Sequence, residues 1–415
     1  MATTVRSILP HLLALLSGFA LMQMGNTLQG TLLSVRGDIE GFSPAQIGAI
    51  GASFWAGIVI GSLNSNKIIE RVGHIRTFAA LGAIASTIPL LHLLVIDPIT
   101  WIALRATTGF CFAGLFIVVE SWLNSTATVE TRGQILSIYG MTGLMAGVAG
   151  QLLLPATDTT GYRPFCIVAI TLALSLVPLA LSRNAAPADA VSGARINPGK
   201  LYEQSPFGVV AAFLAGATSG AFFALGPVFA QKRGLDTSKI AIFMSCGTLG
   251  GFLMAWPLGW LSDRVDRRLV IIAASTTAAT MLIGMLVVVP HGAYEWVLYL
   301  CAALFGATVV PSYSIIIAQV SDVVAKDELV AASGGLLLLN GIGATVGPIV
   351  AGFTMSATPR GLPYILIAAQ ALIALWGVYV LSGRTRPAAT SKGHFLVEPP
   401  VPVGTALAPA HSAAE

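Results

Sequence analysis

The chain has 415 residues, of which 55% are hydrophobic and 10% charged, with a formal net charge of +4 and a mean hydropathy of +0.82. A soluble globule carries about 25% charged residues, so composition excludes one, and apolar runs of about 20 residues recur along the chain as in an all-α integral membrane protein. The runs are continuous rather than alternating with period two, which excludes a membrane β-barrel.

In chain order, the first half predicts helices over Ile8–Leu33, Gln46–Ile69, Thr77–Ile96, Ile99–Asn124, Gln134–Ala156 and Phe165–Leu181. The N-terminal apolar run is too long for a signal-peptide core and lacks a cleavage site, so it is expected to be the first membrane helix. A polar stretch rich in Ala, Pro and Gly follows, and residues 183–206 read as a cytoplasmic linker. The second half predicts helices over Phe207–Ala230, Lys239–Leu261, Leu269–Val289, Trp296–Val320, Ala331–Ser356 and Pro363–Leu381. Two six-helix bundles, 1–182 and 207–382, are expected, with a disordered cytoplasmic tail over 383–415.

An internal repeat supports that division. A shift of 193 residues superposes Gly41 on Gly234, Ile47 on Ile240, Gly57 on Gly250, Glu70 on Asp263 and Arg71 on Arg264, and a shift of 200 pairs Gly143 with Gly343 and Gly147 with Gly347. Six plus six helices joined by a linker is the layout of a transporter whose site lies between repeats near the midplane. Twelve alternating spans with a cytoplasmic N-terminus leave Arg36, Arg163, Lys232, Arg233, Lys239 and Arg360 outside, and most other cations inside. The basic balance is thus a topology signal and not a nucleic-acid surface.

One span, Ala103–Asn124, carries both a cation and an acid, Arg105 and Glu120. At about 100° per residue their spacing returns to within roughly 60°, so both can share one helix face. Buried charge in an apolar span marks a pathway or a site by default. Arg105 also lies close enough to the span's start to snorkel to the surface. Glu120 in a dehydrated cavity is suited to binding and releasing a proton, or it pairs with Arg71, Arg132 or a helix terminus.

Gln23, Asn26 and Gln29 follow a three-residue rhythm on the first span and would share an inward face, because lipid cannot satisfy them. The four cysteines, Cys111, Cys166, Cys246 and Cys301, all lie inside apolar runs, which argues against a disulfide framework or a metal site. His11 and His92 are isolated. No nucleophile elbow, Walker loop or zinc-protease motif is present, so an enzyme or an ATP-driven pump is not expected.

Gly259-x-x-x-Asp263-Arg264-x-Asp266-Arg267-Arg268 lies where the eighth span ends. It resembles the loop signature of the major facilitator superfamily. The first-half copy, Asn66-x-x-x-Glu70-Arg71-x-Gly73-His74, departs from that pattern at its leading Asn and at Glu70. Arg105-x-x-x-Gly109 resembles the family's fourth-helix motif, whose arginine is linked to proton coupling. Glu120-Ser121-Trp122-Leu123-Asn124, with Arg132-Gly133-x-x-Leu136-x-x-Tyr139 and Gly150-Gln151-Leu152-Leu153, looks like the YcaD-like branch of bacterial transport proteins. The fifth-span glycines, Gly140, Gly143, Gly147 and Gly150, resemble the antiporter motif but lack its Gly-Pro step.

The resemblance implies a bacterial inner-membrane location with both termini cytoplasmic, and a conformational latch at Glu70, Arg71, Gly73, Gly259, Asp263, Arg264, Arg267 and Arg268. It also implies a cavity lined by the first, fourth, seventh and tenth helices. That would join Gln23, Asn26 and Gln29 with Thr218, Ser219, Phe222, Phe223, Tyr313 and Gln319, and Phe54 and Trp55 would add a wall. Such a cavity is polar and aromatic rather than strongly charged, which fits a neutral or amphipathic solute better than a phosphate or dicarboxylate. The expected activity is secondary transport of a small organic solute by a monomer in lipid. A proton or ion gradient would drive it, with no cofactor, and Arg105 and Glu120 would serve the coupling. A passive uniporter of the same fold, or a membrane sensor that does not transport, are the alternatives.

Overall fold

The computed structural model describes residues 5–128, 131–181, 198–287, 294–325 and 328–382. The expected tail, and residues 183–197 of the expected linker, lie outside the described residues. The helices are α1 (Val5–Ile39), α2 (Pro44–Val72), α3 (His74–Leu94), α4 (Pro98–Thr126), α5 (Arg132–Leu153), α6 (Arg163–Leu174) and α7 (Leu176–Ala180) in the first half. Then come α8 (Pro198–Gln204), α9 (Pro206–Lys232), α10 (Thr237–Arg264), α11 (Arg267–Val287), α12 (Glu295–Ser321), α13 (Leu329–Ala357) and α14 (Gly361–Ser382). Among the described residues, ten helices are long and apolar enough to cross a membrane. The 35-residue α1 and the interrupted pair α6 and α7 fill the two remaining places.

Two departures from the sequence reading have local causes. The sixth span is broken at Ser175, three residues before Pro178, whose ring nitrogen has no N–H to offer the carbonyl of Leu174. The last part of the expected linker forms the short helix α8, which seats Leu201 in the core of the second bundle.

The repeat recurs in local geometry. Gly41 and Gly234 both adopt positive φ, 81° and 82°, a conformation that favours glycine. Ser43 and Asp236, in register by the same shift, cap the following helices by accepting from the backbone N–H of Gln46 and Lys239. Close helix crossings are duplicated as well. A Cβ added to Gly57 would lie 2.0 Å from the Ala106 carbonyl oxygen, and one added to Gly250 would lie 1.9 Å from that of Ala303. Only glycine permits α2 on α4, and α10 on α12, at these distances. Within the bundles α1 packs on α5 as α9 packs on α13, and α3 on α6 as α11 on α14.

Between the bundles, α2 meets α13, α5 meets α10 and α1 meets α9. The bonds joining them lie toward the face that carries the turns at Gly41 and Gly234. Ser34 Oγ donates to the Ala224 carbonyl at 2.8 Å, the Ala45 N–H donates to Ser356 Oγ at 3.2 Å, and Lys232 pairs with Asp38 at 3.5 Å. Backbone approaches back them up: Gly48 lies against Pro348, and Gly352 against Pro44 and Ala45. This Gly41 face is therefore shut. The turn at Gly73 marks the opposite face.

Candidate functional site

Where the two bundles meet, a cavity of about 200 Å³ lies beneath the shut face. α1 contributes Gln23, Asn26, Thr27 and Ser34, α2 contributes Phe54 and Trp55, and α4 contributes Arg105. Gln151 enters from α5, Ser219 and Phe223 from α9, Thr248 from α10, Tyr313 from α12 and Asn340 from α13. Eight of the residues nominated from the sequence thus line one space: Gln23, Asn26, Phe54, Trp55, Arg105, Ser219, Phe223 and Tyr313.

Arg105 is buried on the cavity wall at 6% exposure. Its Nη1 donates to Gln29 Oε1 at 3.0 Å, and its guanidinium lies 4.2 Å from the centre of the Phe54 ring. This orientation answers the snorkelling alternative: the head group turns inward, held by an amide and an aromatic face. Gln29 is fully buried behind Arg105 and orients it without lining the cavity. Gln23 Oε1, Asn26 Oδ1 and Gln151 Nε2 are buried with no hydrogen-bond partner among the described residues. Buried polar atoms are normally bonded to protein or water, so these three, on side chains that line the cavity, leave unused hydrogen-bonding capacity beside it.

Other nominated residues sit elsewhere. Thr218 is fully buried and accepts from Gln370 Nε2 at 3.0 Å, which fastens α9 to α14. Phe222 packs inside the second bundle, 4.8 Å from the ring of Phe305 and 5.9 Å from that of Phe243. Gln319 accepts from Ser205 Oγ at 3.3 Å, at the start of α9. Gln151, Thr248 and Asn340 were not nominated, although a polar residue in an apolar run was the available signal. Asn340 Nδ2 donates to the Ala212 carbonyl at 3.1 Å, and Thr248 Oγ1 donates to Gln151 Oε1 at 3.4 Å across the bundles.

Glu120 is fully buried in the first bundle, outside the cavity lining. The Tyr139 hydroxyl donates to its Oε1 at 3.5 Å, and the Tyr139 ring lies 4.1 Å from that of Phe19. Fifteen residues of α-helix rise about 22 Å, so Arg105 and Glu120 share a helix face without meeting.

The loop signatures are unequal. Arg267 is buried at the start of α11 and joins three helices. It pairs with Asp263 at 3.0 Å and Asp322 at 2.8 Å, and it donates to Ser262 Oγ at 3.1 Å. Gly259 is buried, Arg264 stacks 3.7 Å over the Trp260 ring, and the Arg268 N–H donates to Asp266 at 3.0 Å. In the first half, Glu70 and Arg71 are exposed, and Gly73 (φ 85°) makes the turn between α2 and α3. His74 stands in register with Arg267 and lies against Trp122 at 6.4 Å, so an aromatic contact replaces the ion network.

The model of the Major Facilitator Superfamily matches residues 15–291 and 209–410. The chain belongs to this superfamily. It is 27% identical over 377 residues to an uncharacterized MFS-type transporter, YcaD, of Escherichia coli, covering 89% of this chain and 96% of that protein. A YcaD protein of Escherichia fergusonii is 26% identical over 362 residues, 87% of this chain and 93% of that protein. Among solved structures, the nucleoside transporter NupG superposes with a TM-score of 0.76 at 14% identity, covering 89% of this chain and 100% of that one. A bacterial homologue of the lysosomal transporter Spinster, inward-facing and occupied, superposes with a TM-score of 0.74 at 17% identity, covering 93% and 98%. The twelve-helix, two-bundle fold is that of the superfamily, and the protein is a multi-pass membrane transporter.

Proposed function

We propose that this transporter moves a small organic solute through the cavity between its bundles by alternating access. The observation that carries the reading is the cavity itself. It lies between pseudo-symmetric halves, its wall includes aromatic side chains, and three buried amide atoms of its lining side chains have no partner among the described residues. A packing interface has no reason to leave such atoms unbonded. We infer further that the Gly73 face is cytoplasmic, from the excess of Lys and Arg on that side. Both termini then lie in the cytoplasm of a bacterial inner membrane, and the conformation described is inward-facing.

A proton gradient is the proposed energy source, with Glu120 as the proton-binding group and Arg105 as the charge that senses it. A passive facilitator is favoured by one observation, the position of Glu120 outside the cavity and beside Tyr139. Accumulation in proteoliposomes decides between them. A coupled carrier concentrates its solute under an imposed proton gradient, and Glu120→Gln abolishes the concentration while sparing exchange at equilibrium. Concentration that survives Glu120→Gln removes that residue from the mechanism. The solute is found by thermal shift across nucleosides, sugars, amino acids, organic acids and lipophilic cations, because any ligand of the folded state raises its stability by mass action.

A further inference from the structure

Among the described residues, the cavity lining contains one cation, Arg105, and no aspartate or glutamate. Arg105 belongs to none of the ion pairs among the described residues. Its guanidinium donates one hydrogen bond, to Gln29, and rests on the face of Phe54. An arginine has five N–H donors and stays protonated at physiological pH. The remaining donors are therefore left to the cavity that Arg105 lines. Glu120, the acid of the same helix, is about 22 Å away along the axis and too distant to balance the charge. A cation withdrawn from water needs a counter-charge or a set of dipoles, and this wall supplies one amide oxygen and one aromatic ring.

We propose that the solute carries a single negative charge, as a carboxylate, and that this group docks on Arg105. The proposal rests on the carrier reading above and narrows its solute class. The planar fork of a guanidinium matches the two oxygens of a carboxylate, and charge-assisted bonds of this kind are about twice as strong as neutral ones. A dianion is disfavoured, since among the described residues the lining holds no second cation to meet its second charge. The rest of the solute has a hydrogen-bonding side toward Gln23 and Asn26 and a flat apolar side toward Trp55 and Phe223. The solute is thus a small aromatic or unsaturated monocarboxylate with one or two polar substituents.

The test uses matched probes on the full-length protein in nanodiscs: phenylacetate with phenylacetamide, indole-3-acetate with its amide, and phenyl phosphate as the dianion. Binding is read by thermal shift and titration on wild type, Arg105→Gln and Arg105→Lys, and flux by uptake into proteoliposomes. The expected result is that at least one monocarboxylate binds about tenfold or more tightly than its amide, the factor that one hydrogen bond to a charged group supplies. Arg105→Gln should erase that preference, and Arg105→Lys should keep part of it. The proposal is overturned if amides bind as well as carboxylates to wild type, if the preference survives in Arg105→Gln, or if no carboxylate binds at millimolar concentration. Flux of a neutral solute in any of those cases would leave the carrier reading standing. Absence of flux for charged and neutral solutes alike would sink that reading too. Should Arg105→Gln fail to fold, the wild-type preference alone decides.

Discussion

Replacing Gly48 by alanine places one methyl group where the bundles touch on the shut face. A Cβ there lies 2.3 Å from the carbonyl oxygen of Pro348 and 3.2 Å from the Cα of Gly352. A relaxed carbon–oxygen contact is about 3.3 Å or more, so α2 and α13 must part by about 1 Å. Both obstacles are backbone atoms, which have no alternative rotamer to adopt. Overpacking of this kind costs about 1–3 kcal/mol. The cost falls only on the state in which this face is closed, because α2 and α13 separate when it opens. A bias of that size moves a two-state equilibrium about 5- to 150-fold. Spin labels at the exposed positions Tyr162 and Arg360, one from each bundle, report the separation by double electron–electron resonance once the four cysteines are replaced. Wild type should give a short distance and Gly48→Ala a population dominated by a longer one. Gly147→Ala is the control, since its Cβ would meet Thr27 Oγ1 at 3.5 Å and Thr248 at 3.8 Å, ordinary contacts. Superposable distributions for Gly48→Ala and wild type, or an equal shift in Gly147→Ala, would refute the argument that this contact governs closure.

Two aromatics should separate stability from binding. Phe222→Ala empties a site between Phe243 and Phe305 and is expected to cost about 3 kcal/mol of stability without altering solute affinity, whereas Trp55→Ala should weaken binding at nearly unchanged thermal stability. Arg267→Ala removes the buried cation from its ion pairs with Asp263 and Asp322 and should destabilise by about 3 kcal/mol. The exposed Arg264→Ala should cost less than about 1 kcal/mol, with thermal unfolding in detergent comparing the two. Outside the spans, hydrogen bonds from Lys200 and then Gln204 hold the Glu328 carboxyl below its usual range. A depressed folded-state pKa stabilises fully above the unfolded value and ceases to do so as pH falls through the folded one. Amide-exchange protection of residues 198–204 should therefore persist at neutral pH and fall only below the ordinary carboxylate range, and Glu328→Gln should lack it throughout.

The sequence by itself determined the spans and the duplication, because both depend on short-range physics, whereas the inward direction of Arg105 was decided by the contacts with Gln29 and Phe54. Apolar length decides what crosses a bilayer, the helical period decides which residues share a face, and no lipid satisfies a guanidinium or an amide. The repeat already paired Gly41 with Gly234, but their positive φ and the caps at Ser43 and Asp236 came from the structure, which shows the duplication in local geometry as well. What those faces meet was not legible. Gln23 and Asn26 reach the cavity while Gln29, on the same stripe, is taken up by Arg105. Phe223 reaches it while its neighbour Phe222 turns into the bundle core, and Thr218 and Gln319 are bonded to Gln370 and Ser205. Arg105 and Glu120 share a face of one helix yet serve different surroundings, because a helix face passes one set of neighbours near its start and another near its end. The tertiary structure alone decided these assignments and the closing of the Gly41 face. Both depend on the rotation and crossing of helices far apart in the chain, where backbone contacts such as Gly48 on Pro348 fix which side chains are left facing empty space.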